Sequence, residues 1–345
     1  MDAPNDTIET QPVLTAVDVV VDYAPPPTGR KGQAVSSIFA VNHVSLRLHP
    51  SETLGIVGES GSGKSTLGYT IMNLVTPPGH IVGGQLHLKG IDEDLFELSE
   101  DEWEHVRGKH LGLVAQGSQN IFNPIMRFDE QFADMFAAHK LSVADGMDHA
   151  RGLLKDARLP VDRVLRAYPH ELSGGMRQRV SIVSSLMVNP DVLILDEPTT
   201  ALDVMSQAIV LDSLKQLKEQ QSTAVIFISH DVAVVSSLCD KIAVMYAGRF
   251  VEIGPVADIY FHPRHPYTDA LVKAVPSLDG DAEELVSIAG QPPDLAHMPP
   301  GCAFAPRCPV VMPQCHTVTP EFIAVGDGGV ACHRYPSETG VSAYA

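Results

Sequence analysis

Apolar residues along the chain fall into short runs separated by longer amphipathic stretches. The β-branched segment 17–23 (VDVVVDY) predicts a strand. Pro25, Pro26 and Pro27 break it, and residues 28–37 read as loop. Residues 41–48 alternate apolar and polar positions, which predicts a second strand with one buried face. The apolar run 54–57 predicts a fully buried strand, leading into a glycine-rich turn and a helical stretch over 64–75. Residues 91–170 are polar and mostly helical in pattern, with no long strand. Three more apolar runs follow at 192–195, 225–228 and 242–245, with helical stretches between them. Within 206–221, Val210, Leu214 and Leu217 fall at i, i+4 and i+7, one face of a helix. Strands alternating with helices predict a largely parallel α/β sheet.

The pattern changes toward the C-terminus. From about residue 254 prolines become dense, and four of the five cysteines lie between 302 and 332, which places a boundary near 255. A chain of 345 residues is long enough for two domains, and 44% hydrophobic residues suffice for a sizeable core. Residues 1–12 read as a disordered, solvated tail. The formal net charge of -18 argues against a surface that coats nucleic acid, so no nucleic-acid partner is expected. No apolar run approaches the roughly 20 residues of a membrane helix. The acidic start MDAPNDTIETQP lacks the basic and apolar regions of a secretory signal. A cytosolic location follows, with any membrane role exercised through a partner. In a reducing compartment the cysteines read as thiols or metal ligands rather than disulfides.

The glycine-rich turn carries the first chemistry. Gly58, Glu59, Ser60, Gly61, Ser62, Gly63, Lys64 and Ser65 fit G-x-x-x-x-G-K-[ST] between a predicted strand and a predicted helix, with Thr66 next in line. Such a loop turns successive backbone N–H groups toward phosphate oxygens, and the helix N-terminus adds partial positive charge. Lys64 reaches the β- and γ-phosphates, and the Ser65 hydroxyl ligates Mg²⁺. The run 192–195 ends in Asp196 and Glu197, two carboxylates at the C-terminal edge of a buried strand, where open α/β sheets bind ligands. Asp196 is expected to hold Mg²⁺ and Glu197 to act as general base on a water.

Leu172, Ser173, Gly174 and Gly175 open a helical stretch 23 residues before Asp196, a second nest of backbone donors. Two phosphate-reading loops in one chain suggest that the second serves a nucleotide held by another chain. With LSGG in this place the sequence resembles the ATP-binding subunits of ABC transporters. The resemblance implies a P-loop NTPase cassette: a RecA-like parallel sheet core, a helical subdomain at about 91–185 and N-terminal antiparallel strands, all within 13–254. Gln116 matches the glutamine that contacts Mg²⁺ and senses the membrane partner. Ala201, Leu202 and Asp203 resemble the D-loop, His230 the switch histidine at the γ-phosphate, and Tyr23 the aromatic that stacks on adenine. In a head-to-tail pair, Ser173, Gly174, Gly175, Gln178 and Asp203 would meet the partner's ATP. Catalytic roles fall on Glu197, His230, Gln116 and Lys64, and Mg²⁺ on Ser65, Gln116 and Asp196.

The C-terminal part narrows the resemblance. Tyr246–Arg249, Glu252–Gly254, His265–Thr268 and the run Gly301-Cys302-x-Phe304-x-x-Arg307-Cys308 are similar to the oligopeptide/dipeptide permease branch, as is Asn123-Pro124 after Gln116. Two positions depart from it: Gly117-Ser118 follows Gln116 in place of Asp-Pro, and Thr200 stands where Ser is usual. The resemblance implies a peripheral protein on the cytoplasmic face of the cell membrane. Its partners would be a second, distinct ATPase subunit in a heterodimer, two transmembrane permease subunits and an extracytoplasmic solute-binding protein. Peptides lead as cargo; oligosaccharides, nickel and a soluble, non-transport ATPase role are the alternatives.

Cys302, Cys308, Cys315 and Cys332 lie within 31 residues, enough thiolates for one metal centre. They lack the close C-x₂₋₄-C pairs of structural zinc. A [4Fe–4S] cluster, zinc and free or disulfide-linked cysteines are all compatible with the spacing, and the branch resemblance points to the cluster. The expected site is a small Cys-rich C-terminal domain over 255–345, with a structural role for the centre. Cys239 lies apart and reads as a buried thiol.

Overall fold

A computed structural model describes residues 11–23, 37–200, 202–220, 222–274 and 288–335. Residues 1–10 of the predicted tail, the break at Pro25–Pro27, residues 28–36 of the loop after it, and Ala201 lie outside the described residues.

The first strands pair locally. β1 (Leu14–Asp22) is flanked by β2 (Phe39–Leu48) and β4 (His80–Leu88), both antiparallel to it. Between β2 and β4 the chain enters the larger sheet through β3 (Thr53–Val57). The larger sheet is completed by β5 (Leu111–Val114), β6 (Val192–Asp196), β7 (Ala224–Ile228), β8 (Lys241–Tyr246), β9 (Arg249–Pro255), β10 (Ile323–Val325) and β11 (Gly328–Val330). Its order is β10-β11-β9-β8-β3-β7-β6-β5.

The five strands from β8 to β5 are parallel, as the strand–helix alternation predicts. β9, β11 and β10 are antiparallel, so the sheet as a whole is mixed. The reason is local. β8 turns into β9 through Ala247 and Gly248 alone, both at positive φ, and a two-residue turn can only join antiparallel neighbours. Among the described residues beyond 255, β11 pairs with β9 and Phe304 belongs to the main core.

The central strands are buried on both faces, which is why they read as unbroken apolar runs. Along β6, Leu193 and Leu195 face one apolar cluster while Val192 and Ile194 face the other. The first cluster includes the helices that follow β5. Phe128, Phe132 and Phe136 lie at i, i+4 and i+8 on the helix Phe128–Ala138 and are all buried. The second cluster packs the three-stranded sheet and the helix Lys64–Ile71, through Leu67 and Ile71, on the opposite face. That helix stops before the predicted residue 75. Asn73 takes a left-handed conformation at φ 50, and the Leu74 N–H returns to the Tyr69 carbonyl at 2.8 Å, which closes the helix. No described helix is long and apolar enough to cross a membrane.

Candidate functional site

Parallel strands deliver their C-terminal ends to one edge of a sheet. Here β3 delivers the glycine-rich loop, β5 Gln116, β6 Asp196 and Glu197, and β7 His230. They surround a cleft of 390 Å³ lined by Ser60, Gly61, Gly63, Lys64, Ser65, Thr66, Gln116, Glu197 and His230. Nine of the residues singled out in the sequence thus share one cleft.

The loop's shape depends on its glycines. Gly63 sits at φ 103, and a Cβ there would run into the Ala40 carbonyl oxygen; Gly58 meets the Met245 carbonyl in the same way. Gly63 caps the helix Lys64–Ile71, so the helix's first N–H groups point into the cleft. Lys64 is 5% exposed. Its Nζ donates to the carbonyls of Gly58 at 2.8 Å and Glu59 at 2.9 Å, and to Ser62 Oγ at 3.3 Å. Burial lowers its pKa, and the charges of Glu197, Asp196 and Glu59 oppose that shift.

Ser65 Oγ donates to Asp196 Oδ1 at 3.0 Å. Asp196 is buried, and its Oδ2 has no hydrogen-bond partner. Burial raises its pKa; the Ser65 hydrogen bond and Lys64 pull it back, and Glu197 adds to the rise. An orphaned carboxylate oxygen beside a serine hydroxyl fits a divalent cation, which would satisfy the lone pairs and hold the group ionised.

Glu197 is held from three sides. Its φ is 47, a left-handed conformation rare outside glycine, and its N–H donates to the Ile228 carbonyl at 3.0 Å. Gln116 Nε2 donates to Oε2 at 3.1 Å, Thr200 Oγ1 donates to the same oxygen at 2.9 Å, and His230 Nδ1 stands 3.2 Å from Oε1. Such backbone strain at a carboxylate fixed by its neighbours is typical of functional sites. Thr200 was singled out in the sequence only as a departure; the structure makes it a direct partner of Glu197.

Other residues lie elsewhere. Gly58, Glu59, Ser62 and Asp196 support the cleft without lining it. Tyr23 is not among the lining residues, and its ring lies against Gly79. Ser173 is exposed and caps the helix Gly174–Leu186, its Oγ accepting from the Met176 N–H at 3.3 Å. Gly174 and Gly175 follow in the first turn, with Gly175 close to the Ser206 side chain. Asp203 is exposed and accepts from the Ser206 N–H and hydroxyl, and Gln178 is buried. None of these five residues lines the cleft.

Cys302, Cys308, Cys315 and Cys332 all line one small cavity together with Pro266, Phe304 and Met312. Burial, helped by the charges of Cys315, Cys332 and Cys308, pushes the Cys302 thiol up to about 11. Cys308 and Cys332 shift upward for the same two reasons, with Arg334 opposing. Three thiols that resist ionisation around one cavity are what a cationic centre would relieve. Among the described residues no three His, Cys, Asp or Glu side chains are arranged to hold a single metal ion. Cys239 packs against Gly55, and burial drives its thiol well up.

Comparison with known proteins agrees with this geometry. Residues 41–200 match the ABC transporter family, and residues 251–315 match the oligopeptide/dipeptide transporter C-terminal region. The chain is 44% identical over 264 residues to the oligopeptide transport ATP-binding protein OppD of Bacillus subtilis, covering 75% of this chain and 73% of that one. It is 40% identical over 302 residues to the dipeptide transport ATP-binding protein DppD of Caldanaerobacter subterraneus, covering 87% and 92%. A dimeric ATP-binding cassette in a post-hydrolysis state, bound to ADP and Pi, superimposes with a TM-score of 0.59 at 26% identity, over 70% of this chain and 98% of that one. With its phosphate loop, its paired acids and its C-terminal region all accounted for in one lineage, the chain belongs to the ABC transporter family, in the branch of oligopeptide and dipeptide transport ATP-binding proteins.

Proposed function

We propose that this chain is the ATP-hydrolysing subunit of an importer for dipeptides or oligopeptides. The observation that carries the reading is Glu197, fixed by Gln116, Thr200 and His230 at the mouth of a cleft whose floor is the phosphate loop. In this reading ATP lies along residues 58–66 with Tyr23 toward the adenine. Lys64 turns from the loop carbonyls to the β- and γ-phosphates. Ser65, Asp196 and Gln116 would hold Mg²⁺, which neutralises charge on the phosphate oxygens. Glu197 takes the proton of the attacking water, and the donors on its two oxygens keep the carboxylate aimed. His230, beside Oε1, is placed to follow the γ-phosphate.

In this reading Ser173, Gly174, Gly175, Gln178 and Asp203 serve the ATP of a second subunit; none of them lines this chain's own cleft. We read the pair as a heterodimer bound to two permease subunits at the cytoplasmic face of the membrane, with a solute-binding protein on the other side. The exposed Ile121 and Ile125, just past Gln116, support docking of that region on a membrane partner. The working division is an ATP-binding domain over 13–254, with its helical subdomain at about 91–185, and a C-terminal region over 255–345.

We also read the four cysteines as ligands of a [4Fe–4S] cluster with a structural role, zinc being the alternative. They line a cavity rather than converge on one point. That arrangement suits a centre in which each thiolate binds a different iron better than it suits one tetrahedral ion. Protein prepared without oxygen should contain iron and sulfide in equal amounts. Cys308→Ser should lose them and melt about 5 °C lower or more. Zinc without sulfide would select the alternative, and unchanged melting with transport abolished would end the structural role.

The function itself is tested by ATP hydrolysis in the assembled membrane complex, with the binding protein loaded with peptide, oligosaccharide or nothing. Stimulation by peptide alone is expected. Stimulation by sugar alone would keep the ATPase and overturn the cargo.

A further inference from the structure

Glu59, a phosphate-loop residue that does not line the cleft, sends its side chain to a distant part of the chain. Its carboxylate receives a bidentate pair from Arg307, Nη1 to Oε2 at 2.7 Å and Nη2 to Oε1 at 3.0 Å. Its backbone N–H donates to the Tyr267 hydroxyl at 2.9 Å, and its carbonyl accepts from Lys64. Glu59 is therefore held through its side chain, its N–H and its carbonyl at once. The N–H is spent on Tyr267 and is not offered to phosphate.

Arg307 is committed to this one task. Its side chain is 4% exposed. Besides Glu59, it donates to the carbonyls of Ala289 at 2.9 Å and Ile288 at 3.4 Å and to the Tyr246 hydroxyl at 3.1 Å. That uses the full fork of five N–H donors, which lysine cannot reproduce. Behind the fork, Tyr246, Tyr267 and Phe304 pack ring on ring, with centroids 4.5 to 5.4 Å apart. Tyr267 and Phe304 bring this support from the C-terminal region, and Tyr246 from the end of β8. Arg307 also ends a short turn bracketed by Cys302 and Cys308.

We infer that Arg307 and Tyr267 are positioning residues for ATP binding: from the C-terminal region they clamp Glu59 and hold the phosphate loop in its nucleotide-receiving shape. The inference rests on reading residues 58–65 as the phosphate site. It follows that ATP affinity depends on a region that touches no part of the cleft. Freed from the clamp, the loop samples other shapes, and only the fraction in the receiving shape binds.

The test uses the full chain and titrates MgATP with a fluorescent nucleotide, alongside thermal melting, for Glu59→Gln, Arg307→Lys and the double variant. Each single change should raise the dissociation constant about tenfold or more. The double should be no weaker than the weaker single, since both break one contact. For Arg307→Lys, whose side chain does not line the cleft, the kcat at saturating ATP should move by less than about twofold, because bound nucleotide restores the loop. Glu59→Gln keeps the side-chain shape and both backbone bonds, so it serves even if Arg307→Lys does not fold. Melting that falls while affinity stays within about twofold overturns the clamp and leaves Arg307 a purely structural residue. Lys64→Ala is the control. If it also retains affinity, the phosphate-site reading fails and the clamp falls with it; if it alone loses affinity, only the clamp fails.

Discussion

Glu197→Gln is expected to slow ATP hydrolysis by about 10²–10⁴-fold, the usual worth of a positioned general base, while MgATP binding stays near normal. The amide has the carboxylate's shape, so the left-handed backbone at 197 and the floor of the cleft are undisturbed. Its oxygen, in the place of Oε2, still accepts from Gln116 and Thr200. What disappears is the proton acceptor, and with it the charge that helps to hold Lys64 protonated. Phosphate release at saturating ATP and equilibrium nucleotide binding, measured on the same preparation, separate the two effects. In the proposed pair the variant should also accumulate as an ATP-bound dimer, visible as an earlier elution volume. Near-normal turnover would remove Glu197 from the role of base.

Lys64→Ala should weaken ATP binding about 100-fold, the loss of two charge-assisted contacts to phosphate. Two features make this loss hard to repair. The carbonyls of Gly58 and Glu59 lose their shared donor, so the loop itself is loosened. The buried Asp196 and its half-buried neighbour Glu197 also lose a cation that faces both of them, which makes ionised Asp196 costlier and weakens its hold on Mg²⁺. Titration with a fluorescent ATP analogue reads the change directly. Affinity within a factor of two of the unmodified protein would contradict the phosphate assignment.

The central strands were legible because burial on both faces leaves an unbroken apolar run, as at 192–195. β4 was not. His80–Leu88 carries Gly83 and Gly84 in its middle, and glycine is among the residues that argue most strongly against a strand. Gly84 stands at φ 100 against the Val19 backbone, a close approach that no periodicity announces. β9 was hidden differently. Ala247-Gly248 is a usable hairpin signal, but it served only as part of a family likeness, and the antiparallel return of the sheet was missed. In the site, residues fixed by motif spacing were readable, since the loop, the paired acids and His230 each follow a strand. Thr200 was noticed only as an oddity, because its value lies in a 2.9 Å contact three residues back along a turn. Arg307 and Tyr267 could not be placed at all from spacing. Their partner lies 248 and 208 residues away, and contacts at that separation leave no pattern in a single sequence.

That separation also sets an order in time. A ribosome delivers Glu59 well before Tyr267, and Arg307 later still. A growing chain thus carries every residue of the phosphate loop long before it carries the side chains that brace it. Until the C-terminal region emerges and folds back onto the edge of the sheet, the loop is a weak trap for nucleotide. The subunit thus gains its grip on ATP only after the C-terminal brace has been made, not when the loop itself is complete.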